Sequence, residues 1–128
     1  MALQRIVCAA LMAPKAPLCH AVRMGNVVYC SGIHPYRLDR TIAVGDFAEQ
    51  TRQVFENLKA VLADAGTSLE HVAKMNVILV RMSDFAAMNE IYRSYFPSGE
   101  YPARTTIESR LARDEMLLEI ECVAEVPA

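Results

Sequence analysis

The chain has 128 residues, of which 53% are hydrophobic and 22% charged, a balance typical of one globular domain with a core of its own. Its formal net charge of −2 is too close to zero to attract nucleic acid through its field alone. No apolar run reaches the roughly 18 residues of a membrane span, and Gln4 and Arg5 make residues 3–12 a poor signal peptide. We therefore expect a single cytoplasmic domain, residues 1–128, with neither nucleic-acid nor membrane partners.

The first third of the chain predicts three short strands. Residues 3–8 are typical of an edge strand, which ends before the prolines at positions 14 and 17. Residues 20–24 and 27–31 flank Gly25-Asn26, a tight-turn pair, and so predict a β-hairpin. The polar, turn-rich residues 32–40 then predict a loop.

Two helices and a strand are predicted next. Asp46 and Glu49 have the spacing of a capping box, apolar residues recur at helical spacing, and Gly66 is a stop signal, so we expect a helix over residues 47–65. Residues 71–81 form a nearly continuous apolar run, which predicts a central strand buried on both faces. A second helix is expected to begin at residue 83 or 84 and to end before Pro97.

The C-terminal part contains two strand-like runs. With a period of two, Arg104 and Thr106 share one face of the first run, whereas Leu118 and Ile120 share the apolar face of the second and Glu119 lies on its other face. A short loop at residues 112–115 would join the runs as an antiparallel hairpin. That pairing would bring Arg104 and Glu119 onto one small sheet, in a register that the sequence does not fix.

These elements predict an α+β fold, a mixed sheet with both helices on one face. The other face of the sheet would then lie bare, and its apolar residues would have to be buried by another chain. The pattern therefore predicts an oligomer.

The cysteines indicate neither a metal site nor a disulfide framework. Cys8, Cys19, Cys30 and Cys122 lie far apart without C-x-x-C spacing, and the three histidines are scattered. Reduced thiols are expected, with Cys30 and Cys122 filling the core. Cys19, in a loop-like stretch, is a candidate reactive thiol.

Arg104 and Glu119 are the candidate functional residues. The planar guanidinium of a strand arginine needs a carboxylate or a phosphate, which either the protein or a ligand supplies. Glu119 lies between two apolar residues, an environment that raises a carboxyl pKa and suits a general acid or base. The alternative is a structural ion pair between Arg104 and Glu108, Glu119 or Glu121.

Two C-terminal motifs resemble a known family. Residues 102–108 read Pro-Ala-Arg-Thr-Thr-Ile-Glu, and residues 118–124 read Leu-Glu-Ile-Glu-Cys-Val-Ala. Together they resemble the C-terminal signature of the RidA/YjgF family, the reactive-intermediate (enamine/imine) deaminases. Further landmarks follow in the family's order at residues 21–32, 50–62 and 84–92, so the resemblance covers residues 17–126.

The resemblance implies both a fold and a reaction. The fold would be chorismate-mutase-like (bacillus type), with a six-stranded mixed sheet, two helices on one face and a homotrimer that has ligand clefts between subunits. The reaction would be a cofactor-independent, metal-free hydrolysis of 2-enamine or 2-imino acids to 2-keto acids and ammonia. Arg104 would bind the substrate carboxylate and Glu119 would position the attacking water.

Four further residues match family positions near the ligand. Asn89 corresponds to an asparagine at the cleft rim, Gly32 and Ile33 to a segment whose backbone approaches the ligand, and Thr106 to a position where many relatives have cysteine or serine. Each also has a structural explanation: a helix surface for Asn89, a turn for Gly32 and strand propensity for Thr106.

The sequence also departs from the family pattern. Leu18 replaces a tyrosine that reaches into the neighbouring cleft, and Ser-Gly-Ile-His-Pro replaces the usual Ser-Gly-Gln-x-Pro. His34 and Tyr36 are new polar groups in this loop. Either they compensate for the lost phenol, or the cleft has been adapted to a larger and more apolar acid. A simply solvated histidine is the structural alternative for His34.

Three other functions remain open at this point. One is a deaminase dedicated to a pathway, acting on acids of the aminoacrylate or aminomuconate type. Another is a non-catalytic trimer that binds small carboxylates, which the loss of the tyrosine at Leu18 favours. A ribonuclease or chaperone-like action, attributed to some relatives, is disfavoured by the net charge of −2.

Overall fold

Six strands form one mixed sheet in the computed structural model of the chain, which describes residues 2–128. The strand order is β1-β2-β3-β6-β4-β5. The elements are β1 (Leu3–Ile6), β2 (Ala21–Met24), β3 (Val27–Cys30), α1 (Phe47–Asp64), β4 (Val72–Leu79), α2 (Phe85–Ser94), β5 (Ala103–Glu108) and β6 (Leu118–Glu125). The predicted α+β fold, a mixed six-stranded sheet with two helices on one face, is confirmed.

The N-terminal half follows the local sequence signals. β2 and β3 pair as the predicted hairpin, and Gly25 takes a φ of +61° in its turn, a conformation that glycine adopts without a Cβ clash. β1 pairs antiparallel with β2 and is the predicted edge strand. It is shorter than expected because pairing ends at Ile6.

Helix α1 begins and ends at the predicted signals. The Asp46 carboxylate accepts a hydrogen bond of 3.0 Å from the Glu49 backbone N–H, and Gly66, just after the C-cap Ala65, has a φ of +87°. The helix buries one apolar stripe against the sheet, and its most buried members are Val54, Phe55, Leu58, Val61 and Leu62. This stripe and the facing strand residues form the core.

Helix α2 packs against α1 through aromatic rings. Phe55 of α1 stacks on Tyr95 with a centroid distance of 4.4 Å and meets Tyr92 of α2 edge-on at 5.8 Å. A short 3₁₀ turn, Met82–Asp84, precedes α2, so the regular helix begins at Phe85, just after the predicted start. None of the helices over residues 2–128 is long and apolar enough to cross a bilayer.

The predicted C-terminal hairpin is wrong, because β4 lies between β5 and β6. β5 pairs parallel with β4, with Arg104 opposite Met75, and β6 pairs antiparallel with the other edge of β4, with Glu119 opposite Ile78. The sequence β4-α2-β5 is a strand, helix and parallel strand, and a parallel pair of this kind needs such a crossover. β5 is therefore an edge strand of the sheet.

Strand β4 also corrects the prediction of burial on both faces. Met75, Val77 and Leu79 are completely buried beneath the helices, whereas Asn76 and Ile78 on the opposite face are only half-buried. The helix-free face of the sheet exposes large apolar side chains to about half of their area: Leu3 48%, Tyr29 48%, Met24 40% and Ile107 49%. We call this surface the bare face.

Candidate functional site

Arg104 lies on the helix-covered face of β5. It shares this face with its partner Met75, and its guanidinium carbon lies 4.8 Å from the ring centroid of Tyr92 and 5.5 Å from that of Phe85, both in α2. These contacts are cation–π interactions, which hold a guanidinium without neutralising its charge. None of the ion pairs among residues 2–128 includes Arg104. The structural ion pair considered from the sequence is therefore not formed in this chain.

An open cleft lies in front of Arg104. It has a volume of about 280 Å³ and is lined by Asn89, Tyr92, Tyr101 and Arg104, together with neighbouring residues; we call it the Arg104 cleft. Asn89 of α2 and Arg104 of β5 thus line one cavity, the arrangement that the family resemblance implies. Two cations line this cleft and no carboxylate does, a charge balance that favours an anionic ligand.

Two hydroxyl groups beside Arg104 lack partners. Thr106 Oγ1 and the Tyr92 hydroxyl are buried, and neither forms a hydrogen bond of normal geometry within residues 2–128. Burial raises the pKa of Tyr92, and the nearby Arg104 guanidinium opposes that shift. Buried polar groups are usually satisfied by protein or water, so an unsatisfied pair next to a free guanidinium indicates a place where a polar ligand would complete the bonding.

Glu119 lies on the bare face and is confined by the loop after β3. Ile33 and Ile120 exchange backbone hydrogen bonds of 2.8 and 3.2 Å, which fix this loop against β6. A Cβ added to Gly32 would collide with the Glu119 carboxylate, so any larger residue at this position would require the Glu119 side chain to move. On the other side, His34 Nε2 lies 2.5 Å from Glu119 Oε1.

A second cleft adjoins this glutamate. It has a volume of about 430 Å³, and Gly32, Ile33, His34 and Leu18 all line it; we call it the His34 cleft. Much of its remaining wall is apolar, including Leu11, Met12 and Met116, whereas Lys15, Arg40 and Arg113 contribute cations. Leu18 is 46% exposed at its edge, and the Tyr36 hydroxyl accepts a hydrogen bond of 3.1 Å from Arg113. The loop residues singled out by the sequence therefore meet in one cavity.

Asn57 and Gln50 support the site and were not predicted. Asn57 of α1 donates hydrogen bonds to the backbone oxygens of His34 (3.0 Å) and Tyr36 (2.8 Å). Gln50, completely buried, donates to the Glu115 oxygen and accepts from the Leu117 N–H just before β6. The sequence did contain a sign of this role. Gln50 and Asn57 are seven positions apart, so they lie on the same face of α1, and most of the other residues of that face are apolar.

Arg104 and Glu119 do not meet within one chain. Their partners on β4, Met75 and Ile78, lie three positions apart and thus on opposite faces of the sheet. The Arg104 cleft and the His34 cleft have no lining residue in common. The predicted site residues thus form two separate groups: Asn89, Arg104 and Thr106 near one cleft, and Leu18, Gly32, Ile33, His34 and Glu119 near the other.

The cysteines take no part in either group of residues. Cys30 and Cys122 are buried, as predicted, and the neighbouring Cys30 thiol together with burial raises the pKa of Cys122. The Cys19 thiol donates a hydrogen bond of 3.4 Å to the Ala21 oxygen. Within residues 2–128, no cluster of three His, Cys, Asp or Glu side chains could hold a metal ion.

Comparison with known proteins identifies the family. A family model described as endoribonuclease L-PSP matches residues 8–126. A 3-aminoacrylate deaminase, RutC, from Acinetobacter baylyi is 40% identical over 114 residues, which cover 88% of this chain and 90% of the relative. The chain belongs to the RidA/YjgF family. The resemblance carried by residues 102–108 and 118–124 is thereby confirmed.

Solved structures of Rid proteins have the same fold. A conserved Rid-family protein of unknown function from Yersinia pestis, YyfA, superposes with a TM-score of 0.92 at 31% identity, covering 98% of this chain and 100% of that one. TdcF from Escherichia coli, solved with bound serine, gives a TM-score of 0.84 at 30% identity, covering 91% and 93% of the two chains. The family therefore includes a deaminase similar to this chain and a protein that binds a small amino acid.

Proposed function

We propose that the protein is a cofactor-independent hydrolytic deaminase that converts 2-imino and 2-enamine acids to 2-keto acids and ammonia. The observation that carries the proposal is the unneutralised guanidinium of Arg104, held over two aromatic rings and open to a cleft of about 280 Å³. A guanidinium group binds a planar carboxylate through two parallel hydrogen bonds. The unpartnered hydroxyl of Thr106 and the amide of Asn89 supply further polar contacts to the same ligand.

Glu119 supplies the base for water attack. The water oxygen bonds to the imine carbon, the C=N π electrons move to nitrogen, and a water proton passes to the Glu119 carboxylate. The same proton then goes to the amine nitrogen, the C–N bond breaks with its electrons on nitrogen, and the hydroxyl proton passes through Glu119 to the departing ammonia. An iminium carboxylate and water thus yield a keto acid and ammonium, with Glu119 restored.

The two residues act together only between chains. Because Arg104 and Glu119 lie on opposite faces of one sheet, a site that contains both requires Arg104 from one protomer and Glu119 from its neighbour. The half-exposed apolar side chains of the bare face, including Tyr29 and Ile107, provide the surface that a neighbour would cover. We propose a homotrimer with three such shared sites, in line with the expectation from the family.

The relatives support a small amino-acid-like substrate. RutC from Acinetobacter baylyi is a 3-aminoacrylate deaminase, and TdcF was solved with bound serine; both ligands are small acids with nitrogen close to the carboxylate. A dedicated deaminase of the aminoacrylate or aminomuconate type is the narrower form of the proposal. The largely apolar wall of the His34 cleft, with Leu18 in place of a phenol, favours an acid with an apolar side chain.

A trimer that binds small carboxylates without turnover is the second candidate. The observation that favours it is the close contact of Glu119 with His34 and Gly32, which gives the carboxylate a structural role as well. In this case Arg104 would still bind the ligand, whereas Glu119→Gln would leave binding unchanged. Binding of a 2-keto acid without turnover of the imine distinguishes this function from catalysis.

The test couples the purified protein to an amino-acid oxidase that releases 2-imino acids and follows keto-acid formation. We expect acceleration by the wild-type protein and a loss of about 10²-fold or more for Arg104→Ala, because a misplaced carboxylate loses the attack geometry. Arg110→Ala is the control, since Arg110 is an exposed arginine just beyond β5 and lines neither cleft. No acceleration, or equal acceleration by Arg104→Ala, contradicts the proposal.

A further inference from the structure

His34 and Glu119 form a cross-strand pair on the bare face. The backbone bridge between Ile33 and Ile120 places His34 directly opposite Glu119, and the imidazole Nε2 lies 2.5 Å from Glu119 Oε1. Both side chains are mostly shielded, with 29% and 18% of their areas exposed. A shielded charge-assisted hydrogen bond of this length is stronger than a solvated surface pair, so the histidine is more than a solvent-facing loop residue.

The protein holds both members of this pair in place. Asn57 fixes the backbone from His34 to Tyr36 through its hydrogen bonds to the backbone oxygens of these two residues, and the Tyr36 ring meets the imidazole edge-on at 6.1 Å. Gly32 packs against one side of the Glu119 carboxylate. Because His34 engages Oε1, the oxygen that remains for the attacking water is Oε2.

We propose that His34 is a positioning residue for Glu119. The inference rests on the proposed deamination. His34 donates its Nε2–H to Oε1 and fixes the orientation of the carboxylate, so that Oε2 is presented to the attacking water.

Glu119 is the carboxylate in contact with the imidazole, whereas three cations, Lys15, Arg40 and Arg113, line the cleft that His34 borders. Arg113 is itself paired with Glu115 at 3.3 Å. The carboxylate of Glu121, next along the same face of β6, is engaged by the Asn76 amide at 2.9 Å. The cleft lining also includes two further titratable side chains, His20 and Tyr36.

Two variants test the positioning role. His34→Gln keeps an N–H donor that can reach Glu119, whereas His34→Ala removes it. We expect His34→Ala to lower kcat by about tenfold or more with little change in KM, because the carboxylate loses its fixed orientation while Arg104 still binds the substrate. His34→Gln should restore most of the lost kcat. His71→Gln is the control, since His71 pairs with the exposed Glu70 at 3.7 Å, outside both clefts.

Nuclear magnetic resonance tests the pair without turnover. The chain has only three histidines, so the His34 ring signal is assigned by its loss in His34→Gln. Glu119→Gln should shift that signal, because the carboxylate that accepts the Nε2–H is gone. A His34 ring signal that Glu119→Gln leaves unchanged overturns the contact between the two residues.

The outcomes distinguish this inference from the proposed function. A wild-type protein that forms no keto acid overturns the deamination and the role of His34 in it. An active deaminase in which His34→Ala keeps the wild-type kcat, or in which His34→Gln is as slow as His34→Ala, overturns the role of His34 alone. A kcat that is lost in His34→Ala and restored in His34→Gln, together with a shifted His34 ring signal in Glu119→Gln, supports the proposal.

Discussion

Gly32 lies directly against the carboxylate of Glu119, and its role is steric. A Cβ at this position would come within 2.3 Å of Oε2, and the side chain of Glu119 would have to move away. We predict that Gly32→Ala lowers deaminase kcat by about tenfold or more, since small displacements of a base are costly. Overpacking should also destabilise the fold by about 1–3 kcal/mol.

A double-mutant cycle identifies the cause of that effect. If the clash is with Glu119, Gly32→Ala should cost much less unfolding free energy in a Glu119→Ala background, where the obstructing atoms are missing. Denaturant titration of the four proteins measures this difference. An equal loss of unfolding free energy in both backgrounds would show that the methyl group clashes with the loop itself and not with Glu119.

His20 links stability to pH. The imidazole is buried, its Nδ1 accepts the Cys8 backbone N–H at 2.9 Å, and burial lowers the pKa of His20 below its usual 6.5. The unfolded chain then binds more protons in this range, so the contribution to stability is complete above about pH 6.5 and is lost as the pH falls toward the folded pKa. We predict a smaller decline in unfolding free energy between about pH 7 and about pH 5 for His20→Gln than for the wild type. Parallel pH curves would exclude this role for His20.

At the scale of elements, helix α1 depends on its N-cap. Asp46 accepts the Glu49 N–H at 3.0 Å and satisfies one of the free donors of the first turn. Asp46→Ala should therefore reduce the unfolding free energy by about 1 kcal/mol, whereas Asp46→Asn, which caps equally well, should leave it nearly unchanged. Urea titration of both variants measures the difference, and an equal loss for both would point to the charge of Asp46 instead of its cap.

The elements themselves could be predicted from sequence, but the arrangement of the last three strands could not. Capping residues, glycine stops and apolar periodicity are local, and they placed α1, α2 and the first hairpin close to their true bounds. The order β6-β4-β5 depends instead on the parallel crossover through α2, which competes with the shorter connection between β5 and β6. The hairpin prediction failed because it weighed loop length alone.

The residues of the candidate site could also be predicted from the sequence only in part. Arg104 and Glu119 could be singled out from their residue types and their place in strand-like runs, whereas Gly32 and His34 were indicated only by comparison with the family pattern. Which of them share a cavity is set by strand register, and the insertion of β4 places Arg104 and Glu119 on opposite faces. Asn57 was not predicted because it acts by holding a loop that is distant in the sequence. The sequence shows only an amide among the apolar residues of a helix.

At the scale of the whole molecule, the proposed function requires a single chain to carry two half-sites. One would be the guanidinium in the Arg104 cleft, and the other the Glu119 carboxylate beside the His34 cleft. The exposed apolar side chains of the bare face are the surface that a neighbouring copy would bury in the proposed trimer. The cytoplasmic location and the lack of a nucleic-acid partner stay predictions, and salt-sensitive RNA binding would contradict the second of them.

The most direct test of the shared site mixes two inactive variants. Arg104→Ala chains keep Glu119, Glu119→Gln chains keep Arg104, and co-expression combines them in one trimer. Random assembly makes about three quarters of the trimers mixed, each with one intact site of three, so we predict about a quarter of the wild-type activity. Neither variant alone should be active. A mixture as inactive as its two components would contradict a site shared between protomers.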